Sequence, residues 1–455
     1  MSGGRLNTDF IDNSAGVNTS DLEVNIKIAL SAPVREGKLS GEERNRLLSG
    51  MTEEVAALVL RNNYLQTLAL SLAEWTAADD LGFENRLLQV LEARGLLDRG
   101  VEFLPGDADI AERRAKKMGL TRPELAVMLA YAKLTLFGDL LSSEVPDDPY
   151  LARELGRYFP QPLSERFPQA VQNHRLRREI IATMLANSII NRGGPSFVAR
   201  IADETGAEAA EIAAAFAAVR DSYRMTDLNG EIDALDARVS GKVQLSLYAA
   251  VQALLLDRII WFLRNAPLKQ GLAGVVAHYR AGIEATEQKL DAILPADARE
   301  GFESRTAELV SADVPAALAR RIARLPLLAA ATDVILIADQ AKTPVESAAE
   351  TYFAVREFLR LDSVVKAARE IDVPDRFDRL ALDRALDQIA ASERRLAATM
   401  LASGKQGRDA LDAWAEPRRS EVERIRARIQ EIAGAGFTLS KLTVAASLVG
   451  DLVKN

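Results

Sequence analysis

The chain has no cysteine and only two histidines in 455 residues. Disulfides, thiolate-held zinc, iron–sulfur clusters and thiol nucleophiles are therefore excluded, a pattern that fits a reducing cytoplasm. Two histidines cannot make an H-E-x-x-H metal pair, because His174 lies in "NHRLRRE" and His278 far away in "VAHYRAG". Each reads as a solvated or locally hydrogen-bonded imidazole, since a metal ligand needs converging partners. Phosphate-binding loops are missing as well. There is no G-x-G-x-x-G, and Gly37-Lys38, Gly241-Lys242 and Gly404-Lys405 all lack the following Ser or Thr. No G-x-S-x-G elbow occurs. Aromatics make up 5%, and the net charge of −8 is spread through mixed acids and bases, which argues against a nucleic-acid surface. The opening "MSGGRLNTDF" has no basic-then-apolar signal pattern, and the apolar stretch "LPLLAAATDVILIADQ" is broken by Asp333 and too short to span a bilayer. The chain reads as soluble, with no membrane partner.

What is present is a helix-forming vocabulary of Ala, Leu, Arg and Glu. Ser40 with Glu43, Thr121 with Glu124 and Thr343 with Glu346 repeat the S/T-x-x-E capping pattern. "NRGGPSF" reads as a helix stop and a new start. In "EVERIRARIQEIA" the residues Val422, Ile425, Ile429 and Ile432 form one apolar stripe. "HRLRREIIATMLANSIINR" is apolar over more of its circumference and should be buried deeper. The basic clusters "ERRAKKM" and "HRLRRE" read as solvated helix faces with acidic neighbours. Asp9, Asp12, Asp21 and Glu23 lack the ligand spacing of a calcium loop, so capping and surface roles are expected.

One stretch stands apart. "LNTDFIDNSAGV" reads as a short strand (Leu6–Ile11) running into a turn of small residues, with Gly16 allowing close approach of a ligand. Ser20 and Glu23 repeat the capping pattern, which would set Ser20 at a helix start, where free amides favour a carboxylate or phosphate. Leu22, Val24, Ile26, Ile28 and Leu30 alternate as in a strand. The cap and the Glu23–Lys27 spacing favour a helix instead. The bland reading is an ordinary strand–turn–helix connection with a serine cap.

The stretch resembles the glutamate dehydrogenases, which carry Asn, a small residue, Gly-Gly-Val, two further residues, Ser and then Glu. Here the pattern stands as Asn13, Ser14, Ala15, Gly16, Val17, Asn18, Thr19, Ser20 and Glu23, with Ala15 departing from the usual Gly. "GGRLNTDFIDNSAGVNTSDLEVNIKI" is similar to the matching segment of the large bacterial NAD-specific enzymes. The likeness continues in "RNNYLQTLALS", "GLTRPELAVMLAYAK", "NHRLRREIIATMLANSIINRGG" and "IIWFLRN", thinning beyond about residue 270. The resemblance implies that Ser20 holds the side-chain carboxylate of glutamate, Val17 lines the pocket beside its methylenes and Asn13 lies near the nicotinamide end of NAD. In that family the catalytic Asp and Lys residues and the Rossmann half precede the Asn motif.

The expected fold is mainly α, a multi-helix C-terminal domain preceded by a strand–turn–helix remnant of an α/β dehydrogenase core. Residues 1–80 would end the catalytic core and 81–455 form the helical domain. The implied function is that of the C-terminal part of a glutamate dehydrogenase, with L-glutamate or 2-oxoglutarate, NAD and the upstream core as partners, in a homo-oligomer. The isolated chain is expected to be inactive. Its opening strand, short of sheet partners, is expected to be poorly ordered. The rival readings are a free-standing helical scaffold or regulatory module and, more remotely, an independent helical enzyme.

Overall fold

The computed structural model describes residues 6–368, 370, 371, 373, 376–434 and 436–454. Gly3, Gly4 and Arg5 of the quoted opening stretch lie outside them. Among the described residues there is no strand, and 81% of the chain is helical. The chain divides into two compact units, residues 1–219 with 255–273 and residues 220–254 with 274–455.

The first unit is built on five helices: α1 (Asp9–Asp12), α2 (Ser14–Arg35), α3 (Thr52–Ala93), α4 (Arg122–Leu141) and α5 (Arg177–Gly193). The 42-residue α3 packs against α2, α4 and α5. Its buried residues Leu70, Ala73, Ala77, Leu81, Glu84, Leu88 and Leu91 recur every three or four positions, which makes one stripe along the helix. The helix runs unbroken through residue 80. α4 starts as its sequence indicates: the Thr121 hydroxyl and amide both bond the Glu124 carboxylate, and Pro123 sits in the first turn. α5 stops at Gly193, with Gly194 at φ 90°, and a new helix begins at Phe197.

Two expectations for the opening are overturned, the strand and the Ser20 cap. Leu6–Ile11 is not a strand: residues 6–8 are irregular and Asp9–Asp12 is a helical turn. Of its apolar residues only Ile11 is buried, so there is no second apolar position to define a sheet face. The segment is hydrogen-bonded to the helices beside it. The Asn63 carboxamide donates to the Ile11 carbonyl at 2.9 Å and to Ser14 Oγ at 3.0 Å, and Arg122 Nε donates to Asn7 Oδ1 at 2.5 Å. Ser20 does not cap a helix, because α2 has already begun at Ser14 with Asn13 as its N-cap residue. The Ser-x-x-Glu pattern needs extended backbone at the serine, and here it falls inside a running helix. The preference for helix over strand across Leu22–Leu30 holds. The buried positions are Leu22, Asn25, Ile26, Ala29, Leu30 and Pro33, while Val24 is exposed.

In the second unit, α6 (Ala331–Ala341), α7 (Val345–Phe358) and α8 (Arg376–Leu401) pack on one another, and α8 also packs on α9 (Leu439–Lys454). The stripe Val422, Ile425, Ile429 and Ile432 is buried as expected. The Thr343–Glu346 box does not form: Pro344 takes the cap position at φ −56°, ψ 146°, and the helix starts one residue later. "LPLLAAATDVILIADQ" divides between Ala316–Leu328 and α6. A longer apolar helix, Gly241–Asn265, has the length and composition to cross a membrane, but 56% of its apolar window is buried in the protein. Its buried Arg258 pairs with Asp257 at 2.8 Å, as suits a core helix.

Candidate functional site

α1 to α5 enclose a cleft of about 530 Å³, within the range of small-molecule sites. Three helices each give it two residues four positions apart, which stack on one helical face. These are Asn13 and Val17 at the head of α2, Asn62 and Gln66 from α3, and Asn187 and Asn191 from α5. α4 adds Lys133, and Asp9, Phe10, Ser14 and Asn18 complete the lining. Six carboxamides and one amine make this a donor-rich surface.

Lys133 is half-buried and, among the described residues, has no hydrogen-bond or ion-pair partner. Burial pushes its amine down to about 7, because an ammonium loses hydration and gains no counter-charge. Asn191 is 4% exposed, and its Oδ1 is buried without a partner. Such an orphaned acceptor is costly in a finished interior and points to something that completes it.

The sequence-derived residues fall partly into this cleft. Asn13 and Val17 line it, and Val17 is 77% exposed. Ser20 does not line it, but by helical spacing it continues the stripe Asn13–Val17–Ser20 along an exposed face of α2. Gly16 is exposed in the first turns of α2, and a Cβ built there meets nothing closer than Asn13 Oδ1 at 3.7 Å. The fold therefore does not require glycine at this point. Gly16→Ala is expected to raise the unfolding free energy by about 0.5–1 kcal/mol through helix propensity, as read by denaturant titration; a loss of stability would contradict the open geometry.

The other candidates are structural. Asp21 accepts a hydrogen bond from the Tyr158 hydroxyl at 2.7 Å and from Asn25 Nδ2 at 3.1 Å, while Asn25 also donates to Tyr158 Oη at 2.7 Å. His174 is buried. Its Nδ1 accepts from the Leu176 amide at 3.1 Å, so Nε2 carries the proton and donates to the Asn25 carbonyl at 3.1 Å. Desolvation holds its pKa below the usual value, which keeps the ring neutral. His278 pairs with Asp339 at the surface. Asp12 accepts from Asn7, and Glu23 pairs with Lys27. No group of three metal-ligating side chains occurs among the described residues. In the basic clusters, Arg113 forms a two-point pair with Glu124 at 2.6 and 2.8 Å, and Arg178 binds Asp147 and the Leu141 and Ser143 carbonyls.

Lys133, Asn62, Gln66, Asn187 and Asn191 are not among the residues expected from the sequence, although they lie in the stretches that carry the family resemblance. The available signal was polarity out of place: a lysine inside "LAVMLAYAKLTLF" and asparagines inside "IIATMLANSIIN".

An all-α protein thus brings an amine and six carboxamides to one cleft. The chain belongs to the glutamate dehydrogenase family: the family model described as "Glutamate dehydrogenase, C-terminal" matches residues 117–451. A second, "Bacterial NAD-glutamate dehydrogenase, catalytic domain", matches residues 1–73. Three relatives named NAD-specific glutamate dehydrogenase align over nearly the whole chain. The Pseudomonas aeruginosa protein is 38% identical over 459 residues, covering 100% of this chain and 28% of its own length. The Halomonas elongata protein is 37% identical over 450 residues, covering 97% and 28%. The Mycobacterium tuberculosis protein is 34% identical over 459 residues, covering 100% and 28%. The chain thus spans 28% of the length of these curated relatives.

Proposed function

We propose that this chain acts within an NAD-dependent glutamate dehydrogenase, which converts L-glutamate, NAD and water to 2-oxoglutarate, ammonia and NADH. Its part is to supply one wall of the substrate pocket from α2. The observation that carries the reading is the convergence of four stretches quoted for the family resemblance. The opening motif, "RNNYLQ", "LAYAK" and "LANSIINR" all place polar residues on one cleft. The open space at Gly16 supports it, since a glycine that the fold does not need is explained by a ligand that must come close.

On this reading Val17 packs beside the substrate methylenes. Ser20, one turn further on, donates its hydroxyl to the side-chain carboxylate. Asn13, an exposed carboxamide on the cleft, fits the nicotinamide end of NAD, which when bound accepts the hydride. The sequence carries no G-x-G-x-x-G to cradle the pyrophosphate. The dinucleotide-binding half and the catalytic Asp and Lys are assigned to the rest of the enzyme, so the 455 residues alone should not reduce NAD with glutamate. Cytoplasmic residence and assembly of several such subunits belong to the same proposal.

The test is Ser20→Ala in the longer enzyme. Loss of a hydrogen bond to a charged group costs about 1.5–3 kcal/mol, so kcat/KM for glutamate should fall about 10- to 150-fold. Unchanged turnover would remove Ser20 from the pocket. NAD reduction by the purified 455-residue chain would refute the division of labour.

A further inference from the structure

We propose that Lys133 and Asn191 form a carboxylate-binding site in the cleft, so that α4 and α5, outside the catalytic-domain match, grip one carboxylate of an acidic small molecule, committed here to the 2-oxoglutarate–glutamate pair. This rests on the reading above for the identity of the ligand, but not for the existence of the site.

The chemistry is specific. Among the described residues Lys133 is the one cation in the lining, and it has no internal partner. Asp9 is, among the described residues, the only ionisable side chain besides it that lines the cleft, and no ion pair joins the two. An amine left without a counter-charge, in a cleft lined by carboxamides that can donate from their NH₂ groups, suits an anion. Asn191 supplies the independent sign of a missing ligand: a side chain buried to nineteen parts in twenty or more, with an oxygen that nothing satisfies. Its NH₂ has no partner among the described residues and, unlike the oxygen, is not closed off, so it is the donor a carboxylate in the cleft would use. Phosphate or sulfate fits less well than a carboxylate, because it sets about two charges on one group against the single cation Lys133, where a carboxylate sets one. The carboxamides also match the flat, two-oxygen carboxylate edge.

The emptied amine has a testable signature. With its pKa near 7, Lys133 holds about a thousandfold more free amine at neutral pH than an ordinary lysine. It should be acylated early. The experiment is competitive acetylation of the purified 455-residue chain at pH 7.5, with peptide mass spectrometry giving the rate at each lysine, in buffer alone, with 2-oxoglutarate, with L-glutamate and with sulfate.

Lys133 is expected to react at least tenfold faster than the surface lysines Lys38 and Lys405. Millimolar 2-oxoglutarate or glutamate should slow Lys133 at least fivefold and leave the surface lysines alone, and Asn191→Leu should reduce that protection to under twofold. Ser188→Ala, on the same helix but outside the cleft lining, serves as the folding control and should retain protection. Absence of protection by both acids in the wild-type chain overturns the proposal. So does equal protection by sulfate, which would mean general anion screening, and so does full protection in Asn191→Leu. Because the readout is labelling, not turnover, it separates the two claims. Protection here with unchanged Ser20→Ala kinetics in the longer enzyme would keep this site and discard the pocket wall, while the reverse pair of results would do the opposite.

Discussion

Replacing Arg356 with methionine is expected to lower the unfolding free energy by about 3–5 kcal/mol at pH 8 and by much less at pH 5. Arg356 of α7 donates to Glu393 of α8 at 3.1 Å and to Asp362 at 2.7 Å. Glu393 is 1% exposed and also accepts from the Tyr352 hydroxyl at 3.1 Å; Asp333 of α6, buried nearby, pairs with Arg394 at 2.7 Å. Three carboxylates therefore share two guanidinium groups. Burial pushes the Glu393 carboxyl up to about 7, with Arg356 opposing and Asp333 and Asp362 adding to the rise. A proton on Glu393 leaves the cluster neutral.

The sign follows from linkage. A carboxyl whose folded pKa is raised contributes stability that is whole below its unfolded value near 4.5 and lost as pH climbs through about 7. Without Arg356 the ionised form loses its main support, so the loss extends to higher pH and deepens. Chemical denaturation at pH 5 and pH 8 reads this directly. The double variant Arg356→Met with Glu393→Gln should recover most of the deficit at pH 8, since glutamine can still bond Tyr352 and carries no charge to strand. A cost under about 1 kcal/mol at pH 8, well below what a broken buried pair entails, or equal costs at the two pH values, would contradict this account of the cluster.

The helices were legible in the sequence because their signals are local. The stripe Val422–Ile432, the Thr121–Glu124 box and the Gly193-Gly194 stop each depend on residues within one or two turns, and all three stand in the structure. The errors also have local causes. "LNTDFI" offers apolar residues at strand-compatible places, but only Ile11 finds a core. Ser20 and Glu23 have cap spacing, yet the helix had begun six residues earlier at Ser14, and a four-residue pattern carries no information about what lies ahead of it. Asn13 and Val17 are expected site residues through the family motif alone, and both line the cleft. Lys133 and Asn191 escaped for the opposite reason to the errors. Each is one polar residue in a helix whose neighbours look like core, and only the packing of α4 and α5 against α3 brings them together with Asn62 and Gln66. Convergence across helices is a property of the fold and not of any window of sequence.

The same contrast between a local pattern and its surroundings gives the second large effect. Glu84→Met is expected to raise the unfolding free energy by about 2–3 kcal/mol at pH 7.5. Glu84 occupies a position in the apolar stripe of α3, 1% exposed, between Leu81 and Leu88. Its Oε2 is buried with no partner, and among the described residues it makes no ion pair. Burial drives its carboxyl well above the ordinary value, and the nearby charges of Asp80 and Glu124 push the same way. Its contribution to stability is complete below about pH 4.5 and is then lost as pH rises, by up to about 1.4 kcal/mol per pH unit until the folded pKa is reached. Methionine fills a similar volume, adapts to irregular space and has no proton to hold. The gain should therefore be small or absent at pH 4.5 and grow steadily toward neutrality. Denaturant titrations of wild type and Glu84→Met across pH 4.5 to 8 test it, with Glu84→Gln as the companion that keeps the shape and removes only the titration. Because Glu393 titrates in the other unit, its slope persists in both variants and serves as an internal reference. Parallel pH curves for wild type and Glu84→Met would mean that this carboxyl does not change charge on folding, and the picture of a protonated acid held inside the α3 stripe would fail.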